Sequence, residues 1–146
     1  MTTTSPQLDG EIVIDNLSEK TLRFEALGTR DPIMSVGDGA TFYNEIYDAD
    51  GNVYGETVGI TVAVDLGKDG IITEYTEVIQ LPDGMLHATS TINRMDLFTG
   101  KTVTAQVVGR SGKYAGLTGV RECRLLPPFP PGPDNKVGVR FVLRKA

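Results

Sequence analysis

At 146 residues the chain is long enough to bury one hydrophobic core but too short for two independent domains. Its formal net charge of -5, with Lys and Arg scattered along the chain, argues against nucleic acid or an anionic membrane as a partner. With one cysteine and one histidine, an internal disulfide and a Cys/His metal cluster are excluded. The polar N-terminus does not resemble a signal peptide and no apolar run reaches membrane-spanning length, so a cytoplasmic protein is expected.

Apolar residues alternate with polar ones along most of the chain, and the alternating stretches are rich in Val, Ile, Thr and Tyr. A period of two with β-branched and aromatic side chains is typical of strands. The pattern predicts about nine strands. In chain order they are Glu11–Asn16, Leu22–Leu27, Ala40–Tyr47, Val53–Asp65, Ile71–Leu81, Met85–Met95, Lys101–Val108, Val120–Leu126 and Val137–Arg144.

Short turn signals separate these strands, including Asp50-Gly51-Asn52, Lys68-Asp69-Gly70, Pro82-Asp83-Gly84 and Thr99-Gly100. Gly and Asn supply the positive φ angles that tight hairpins need, so consecutive strands are predicted to be antiparallel neighbours. Because no predicted helix is long enough to cover exposed strand edges, the favoured all-β fold is a closed or nearly closed barrel. A two-sheet sandwich is the alternative.

Two segments interrupt the strand pattern. Residues 1–35 are predicted to form an N-terminal arm, with Met1–Gly10 mobile and the remainder acting as a lid or as an edge strand of a barrel domain that spans residues 36–146. The prolines of Pro127–Pro133 lack the N–H donor that a sheet requires, so this segment is predicted to be a stiff loop before the last strand. A polyproline ligand for another domain is the alternative.

The chain contains few residues suited to nucleophilic or acid–base catalysis. His87, the only histidine, begins a strand after a turn, where a structural role is favoured over general base catalysis. Cys123 is a possible nucleophile, but strand alternation favours a small residue that lines the interior. The segment Gly109-Arg110-Ser111-Gly112-Lys113 lacks the spacing of a phosphate-binding loop.

Alternation also places two charged residues among apolar ones. Arg121 shares a strand face with Cys123 and Leu125, and Glu77 shares one with Tyr75. An inward-facing Arg121 needs a carboxylate, a carbonyl or a ligand, and Glu77 is a candidate partner. The pair is interpreted either as a structural ion pair or as the group that orients one end of a ligand.

Three segments resemble the abyssomicin-type spirotetronate and spirotetramate cyclases. They are FYNEIYDADGN at 42–52, LPDGMLHA at 81–88 and GRSGKYAGLTG at 109–119, and the resemblance extends from about Val36 to Leu126. The Gly-x-Tyr-x-Gly-x-x-Gly part of the third segment is also similar to allene oxide cyclase and dirigent-like barrels. The resemblance implies an eight-stranded barrel, commonly a homodimer, that catalyses an intramolecular Diels–Alder-type cycloaddition of a linear tetronate or tetramate polyene.

Such a cyclase requires no metal and no cofactor, because its lumen lowers the barrier by holding diene and dienophile together. The resemblance implies that Tyr75 hydrogen-bonds a substrate carbonyl, and Arg121 also has a counterpart in the family. Arg121 with Glu77 would then anchor the acidic tetronate end. These three residues form the predicted catalytic set.

The resemblance also implies a set of substrate-binding residues. They are Phe42, Asn44, Ile46, Arg94, Ala105, Cys123 and Leu125. Phe42 matches an aromatic cavity wall, whereas Cys123 stands at the position of a gating tryptophan and Leu125 replaces a methionine. Arg94 and Ala105 fall where the family uses aromatic residues. A reshaped lumen and a different substrate are therefore expected.

Three alternative functions remain open from the sequence. One is an allene-oxide-cyclase-like isomerase of an oxidised fatty acid, with Glu77 stabilising a cationic intermediate. The second is a cyclase that forms the rings of a tetronate polyether. The third is a lipocalin-like carrier that only stores an apolar ligand. A carrier and a cyclase need the same apolar lumen, so composition does not separate them.

Overall fold

A computed structural model describes residues 10–27, 35–68, 70–127 and 135–146. Within these residues, eight strands follow one another along the chain. They are β1 (Glu11–Leu27), β2 (Gly39–Tyr47), β3 (Val53–Gly67), β4 (Gly70–Leu81), β5 (Gly84–Asn93), β6 (Val103–Gly109), β7 (Leu117–Leu125) and β8 (Val137–Lys145). A short helix α1 (Arg94–Phe98) joins β5 to β6, and a 3-10 turn (Gly112–Tyr114) joins β6 to β7.

Each strand pairs antiparallel with the next one, and β8 pairs with β1, so that the sheet closes on itself. The predicted antiparallel eight-stranded barrel is confirmed, and the sandwich alternative is wrong. Closure pairs the backbone groups of β1 and β8, which an open sheet would leave as exposed edges. The barrel therefore needs no covering helix.

One end of the barrel is filled by apolar side chains. The fully buried residues there include Ile46, Ile79, Leu86, Phe141 and Leu143. They come from the C-terminal halves of β2, β4 and β8 and the start of β5, which antiparallel pairing brings to the same end. This packed core closes the barrel at that end, and the opposite end is where a cavity lies.

Strand β1 differs from the sequence prediction. The segments Glu11–Asn16 and Leu22–Leu27 are parts of one strand that pairs with both β2 and β8. Register shifts between Ile14 and Leu17, and again between Thr21 and Arg23, mark two bulges. Each bulge inserts an extra residue and breaks the period of two, so the alternation predicts two strands where the structure has one.

Helix α1 corrects the predicted strand Met85–Met95, which ends at Asn93. The Asn93 side chain accepts a hydrogen bond from the backbone N–H of Met95 at 3.0 Å and so caps the helix. The alternation of β5 continues up to this cap, and the same Asn93 oxygen also accepts a hydrogen bond from the backbone N–H of Ile71 at 3.3 Å.

Parts of three sequence predictions lie outside the described residues: positions 1–9 and 28–34 of the N-terminal arm, positions 128–133 of the proline-rich segment, and Asp69 of one turn. In the part of the chain that is described, no helix is long and apolar enough to cross a membrane.

Candidate active site

A cavity of about 370 Å³ occupies the end of the barrel opposite the packed core. Its walls are largely apolar and aromatic, and include Phe24, Phe42, Tyr75, Ile92, Leu97 and Phe98. Those that belong to strands point into the lumen, because inward-facing and outward-facing residues alternate along the strands of a small barrel. An apolar pocket with a few polar groups is the usual form of a small-molecule site.

The floor of the cavity is polar. Arg121 on β7 donates two hydrogen bonds to Glu77 on β4, from Nη1 to Oε2 at 2.9 Å and from Nη2 to Oε1 at 2.5 Å. Both side chains are buried. This two-pronged geometry is the one in which a guanidinium and a carboxylate compensate each other's loss of hydration most fully. The pairing that alternation suggested is present in the structure.

A second buried carboxylate, Glu19 on β1, lies beside this pair. It accepts hydrogen bonds from the Thr57 hydroxyl at 2.7 Å and from the Asn44 side-chain amide at 3.2 Å. Sequence reasoning missed Glu19 because it fell in the assumed gap between two strands. Its spacing from Leu17 and Thr21 was the available signal, since the three residues share a face between the two bulges of β1.

The floor thus contains two carboxyl groups and one guanidinium. Burial raises the pKa of Glu19, and the positive charge of Arg121 only partly opposes this. For Arg121 burial by itself lowers the pKa, but its neighbours, Glu77 and Glu19 among them, hold it well above its ordinary value. Arg121 is therefore always charged, and Glu19 is the group at the floor that is biased toward its neutral form.

Two polar atoms at the floor have no partner among the described residues. They are the Asn44 side-chain oxygen and the Arg121 Nε–H. Both residues line the cavity, and they are only 8% and 6% exposed, respectively. Because a buried acceptor or donor without a hydrogen-bond partner costs free energy, these two atoms favour binding of a ligand that can hydrogen-bond to them.

Tyr75 and Phe42 form the wall above the floor. Their rings meet edge to face, with centroids 6.2 Å apart and planes at 67°. Gly59 on β3 lies opposite Phe42, and an added Cβ there would collide with the Phe42 ring. Burial raises the pKa of the Tyr75 phenol, which keeps it a hydrogen-bond donor at neutral pH. Its hydroxyl makes no hydrogen bond within the described part of the chain and is available to a ligand.

The mouth of the cavity is bordered by α1. Arg94, Leu97 and Phe98 line it because positions three and four apart share one helix face. The Arg94 guanidinium carbon lies 5.5 Å from the centre of the Phe98 ring, a cation–π distance. Phe24 of β1 is 60% exposed and completes this rim.

The other predicted site residues divide into two groups. Ala105 and Cys123 line the cavity, and burial raises the pKa of the Cys123 thiol to about 11, which makes it a poor nucleophile at neutral pH. Ile46 lies in the packed core, and Leu125 does not contact the cavity. His87 lies between inward-facing Leu86 and Ala88 and so faces outward.

The described residues contain no group of three or more His, Cys, Asp or Glu side chains arranged to hold a metal ion. Most polar groups of the floor are hydrogen-bonded to one another. What the arrangement offers chemically is a shaped apolar space, a phenol donor on one wall, and a small number of unpaired polar atoms at its base.

The family of allene oxide cyclase barrel-like domains matches residues 18–143, which is most of the barrel. The chain belongs to this family. No curated protein matches it in sequence. Three solved structures with the same barrel carry the comparison further.

AbnU, an exo-specific intermolecular Diels–Alderase, is 29% identical to this chain with a TM-score of 0.77, and the match covers 91% of this chain and 96% of AbnU. The Diels–Alderase AbmU from Streptomyces koyangensis is 21% identical with a TM-score of 0.77, over 93% of this chain and 64% of AbmU. A nonspecific heme-binding cyclase that catalyses a 4 + 2 cycloaddition in neoabyssomicin biosynthesis is 21% identical with a TM-score of 0.78. The match covers 93% of this chain and 67% of that cyclase. The resemblance to abyssomicin-type cyclases is thereby confirmed.

Proposed function

We propose that this barrel is a cyclase of polyketide biosynthesis that catalyses a Diels–Alder-type cycloaddition inside its lumen. The observation that carries the proposal is the cavity itself, in a barrel like that of the Diels–Alderase AbnU. It combines apolar walls with the hydroxyl of Tyr75, which has no hydrogen-bond partner among the described residues. We further propose that the substrate is a linear tetronate or tetramate polyene and that the reaction is intramolecular.

The physical basis of the proposed catalysis is confinement. A flexible polyene loses much of its conformational freedom when its ends meet, and a lumen that pays this cost on binding lowers the barrier. Phe42 and Tyr75 form a wall that their edge-to-face contact holds in place, and this wall would keep the diene close to the dienophile. A hydrogen bond from the Tyr75 hydroxyl to the dienophile's carbonyl would withdraw electron density and stabilise the transition state.

The direct experiment is incubation of the purified protein with a synthetic linear polyene tetronate. The expected product is a cyclised isomer of identical mass, detected by chromatography and NMR. Equal conversion by heat-denatured protein contradicts the proposal. Binding of substrate without conversion indicates a lipocalin-like carrier, and turnover of a fatty-acid epoxide instead indicates an isomerase. Cyclic-ether formation identifies the polyether alternative, and separate diene and dienophile substrates test an intermolecular reaction.

Replacement of Tyr75 by Phe tests the proposed donor. The variant keeps the ring and its contact with Phe42 but loses the hydroxyl, so kcat should fall about tenfold or more while KM changes little. Tyr43→Phe is a matched control, because the Tyr43 hydroxyl lies outside the lumen and donates a hydrogen bond to the Glu56 carboxylate at 2.8 Å. An unchanged kcat in Tyr75→Phe removes Tyr75 from the mechanism.

The remaining sequence expectations stay predictions within this proposal. They are reaction without a cofactor, a homodimeric assembly and a cytoplasmic location.

A further inference from the structure

The charged residues that line the cavity are unevenly distributed. Among the described residues they are Glu19, Glu77, Arg94 and Arg121. Three of them lie together at the floor, where the carboxyl groups of Glu19 and Glu77 flank the one guanidinium of Arg121. Both Nη atoms of Arg121 are bonded to Glu77. The floor therefore has no positive charge to spare for an anionic ligand.

Arg94 stands apart from this cluster. It lines the mouth, and no carboxylate within the described residues forms an ion pair with it. Its guanidinium is stacked over Phe98, which restricts the side chain without neutralising its charge. Tyr75 lines the same cavity, where burial raises the pKa of its phenol and the positive charge of Arg94 opposes this. A cation and a hydroxyl donor thus line one cavity.

We propose that Arg94, at the mouth of the lumen, and Tyr75, on its wall, form an anion-binding subsite that takes the acidic end of the substrate as an enolate or carboxylate, so that the carbonyl bonded by Tyr75 belongs to this end. The uncharged end of the ligand then points to the floor, where the Asn44 oxygen and the Arg121 Nε–H are available to neutral polar groups. This orientation is the reverse of the one expected from the sequence, in which Arg121 and Glu77 anchor the acidic end.

The identity of the acidic group as a tetronate rests on the proposed cyclase function, but the charge preference of the subsite does not. It is measured with two unreactive probes of the same shape, 2-naphthoate and 2-naphthamide, at pH 8 by calorimetry. Wild-type protein should bind the anion about tenfold more tightly than the amide, in line with one charge-assisted hydrogen bond. Equal binding, preference for the amide, or binding of neither probe overturns the subsite.

Variants assign the preference to Arg94. Arg94→Gln should bring the two affinities within about twofold of each other, and Arg94→Lys should retain most of the preference because it keeps the charge. Arg110→Gln is the charge-matched control, since Arg110 is exposed beyond β6 at the opposite end of the barrel. A preference that survives in Arg94→Gln, or that is lost equally in Arg110→Gln, contradicts the assignment.

NMR of the arginine Nε–H groups gives an independent readout on folded wild-type protein. Naphthoate should shift the Arg94 signal more than the Arg121 signal, and the opposite ranking would place the anion at the floor and overturn the proposal. The two proposals fail separately. Turnover without charge preference removes only the subsite, and charge preference without turnover of any polyene removes only the cyclase.

Discussion

Three buried charged side chains at the floor of the lumen set the local electrostatics. Glu77 and Arg121 satisfy each other through two hydrogen bonds, whereas Glu19 is held by the neutral donors Thr57 and Asn44. A carboxylate supported mainly by neutral groups in a buried site recovers less of its lost hydration than one paired with a guanidinium. Burial therefore biases Glu19 toward its neutral form.

We predict that Glu19 makes folding stability depend on pH. Burial raises its pKa above the ordinary value of 4.5, so the folded protein holds this proton at pH values where the unfolded chain has released it. The contribution is fully present below about pH 4.5 and is lost as pH rises through the folded-state pKa. Glu19→Gln removes this dependence, so the variant should gain stability relative to wild type as pH rises.

The free energies of unfolding of wild type and Glu19→Gln are measured by urea denaturation, at pH values from below about 4.5 upward. Glu74→Gln is the control, because Glu74 is exposed on the outer face of β4 and should show the wild-type dependence. A stability difference between wild type and Glu19→Gln that stays constant with pH would show that Glu19 has no raised pKa.

At the scale of single elements, the bulges of β1 determine which side chains reach the lumen. Asn16, in the first bulge, has a φ of 60°. The extra residue shifts the alternation of side chains along β1 by one position. Both Ile14 and Leu17 are therefore buried, and Glu19 faces the lumen. Without it, a one-residue slip would turn the following side chains to the opposite face of the sheet.

Substitution of Asn16 tests this bulge. Glycine adopts positive φ without steric cost, so Asn16→Gly should leave the free energy of unfolding within about 0.5 kcal/mol of wild type. Asn16→Ala should lose about 1 kcal/mol, because alanine keeps the Cβ that crowds the following carbonyl but lacks the polar side chain that lets asparagine tolerate this conformation. Chemical denaturation compares the two. Equal stability of the glycine and alanine variants would mean that the positive φ contributes no strain.

At the scale of the whole molecule, the two ends of the barrel interior differ: one is a packed core that stabilises the fold, and the other surrounds the cavity. The end that holds Ile79 is tightly packed, and the end that holds Ile92 surrounds the cavity. Close packing makes a lost side chain costly because neighbours do not fill the gap, whereas a cavity wall has fewer contacts to lose.

A matched pair of isoleucines tests this division. Ile79→Ala should cost about 2–5 kcal/mol of unfolding free energy, as for a fully buried side chain. Ile92→Ala should cost less than half as much, because Ile92 is only partly buried, but should weaken binding of the naphthyl probes. Thermal and urea unfolding give the first quantity and calorimetry the second. Similar destabilisation by both variants would contradict the division.

Much of the site could be predicted from strand alternation alone. Alternation placed Glu77, Tyr75, Arg121 and Cys123 on inward faces, and the structure has all four lining the cavity. The resemblance assigned Ile46 and Leu125 to substrate binding, but both lie away from the cavity although they are buried. The period of two tells which face a side chain occupies but not its height along the barrel axis, because height depends on the stagger between strands.

The sequence by itself determined the antiparallel β architecture, since its alternation and turn residues are local properties of the chain. It also determined the family resemblance. Only the tertiary structure decided that residues 11–27 form one barrel strand, that Glu19 joins the floor and that Arg94 lines the mouth without an ion pair among the described residues. Bulges and the charge balance of a lumen arise from pairing between segments distant in sequence, and no local pattern specifies them.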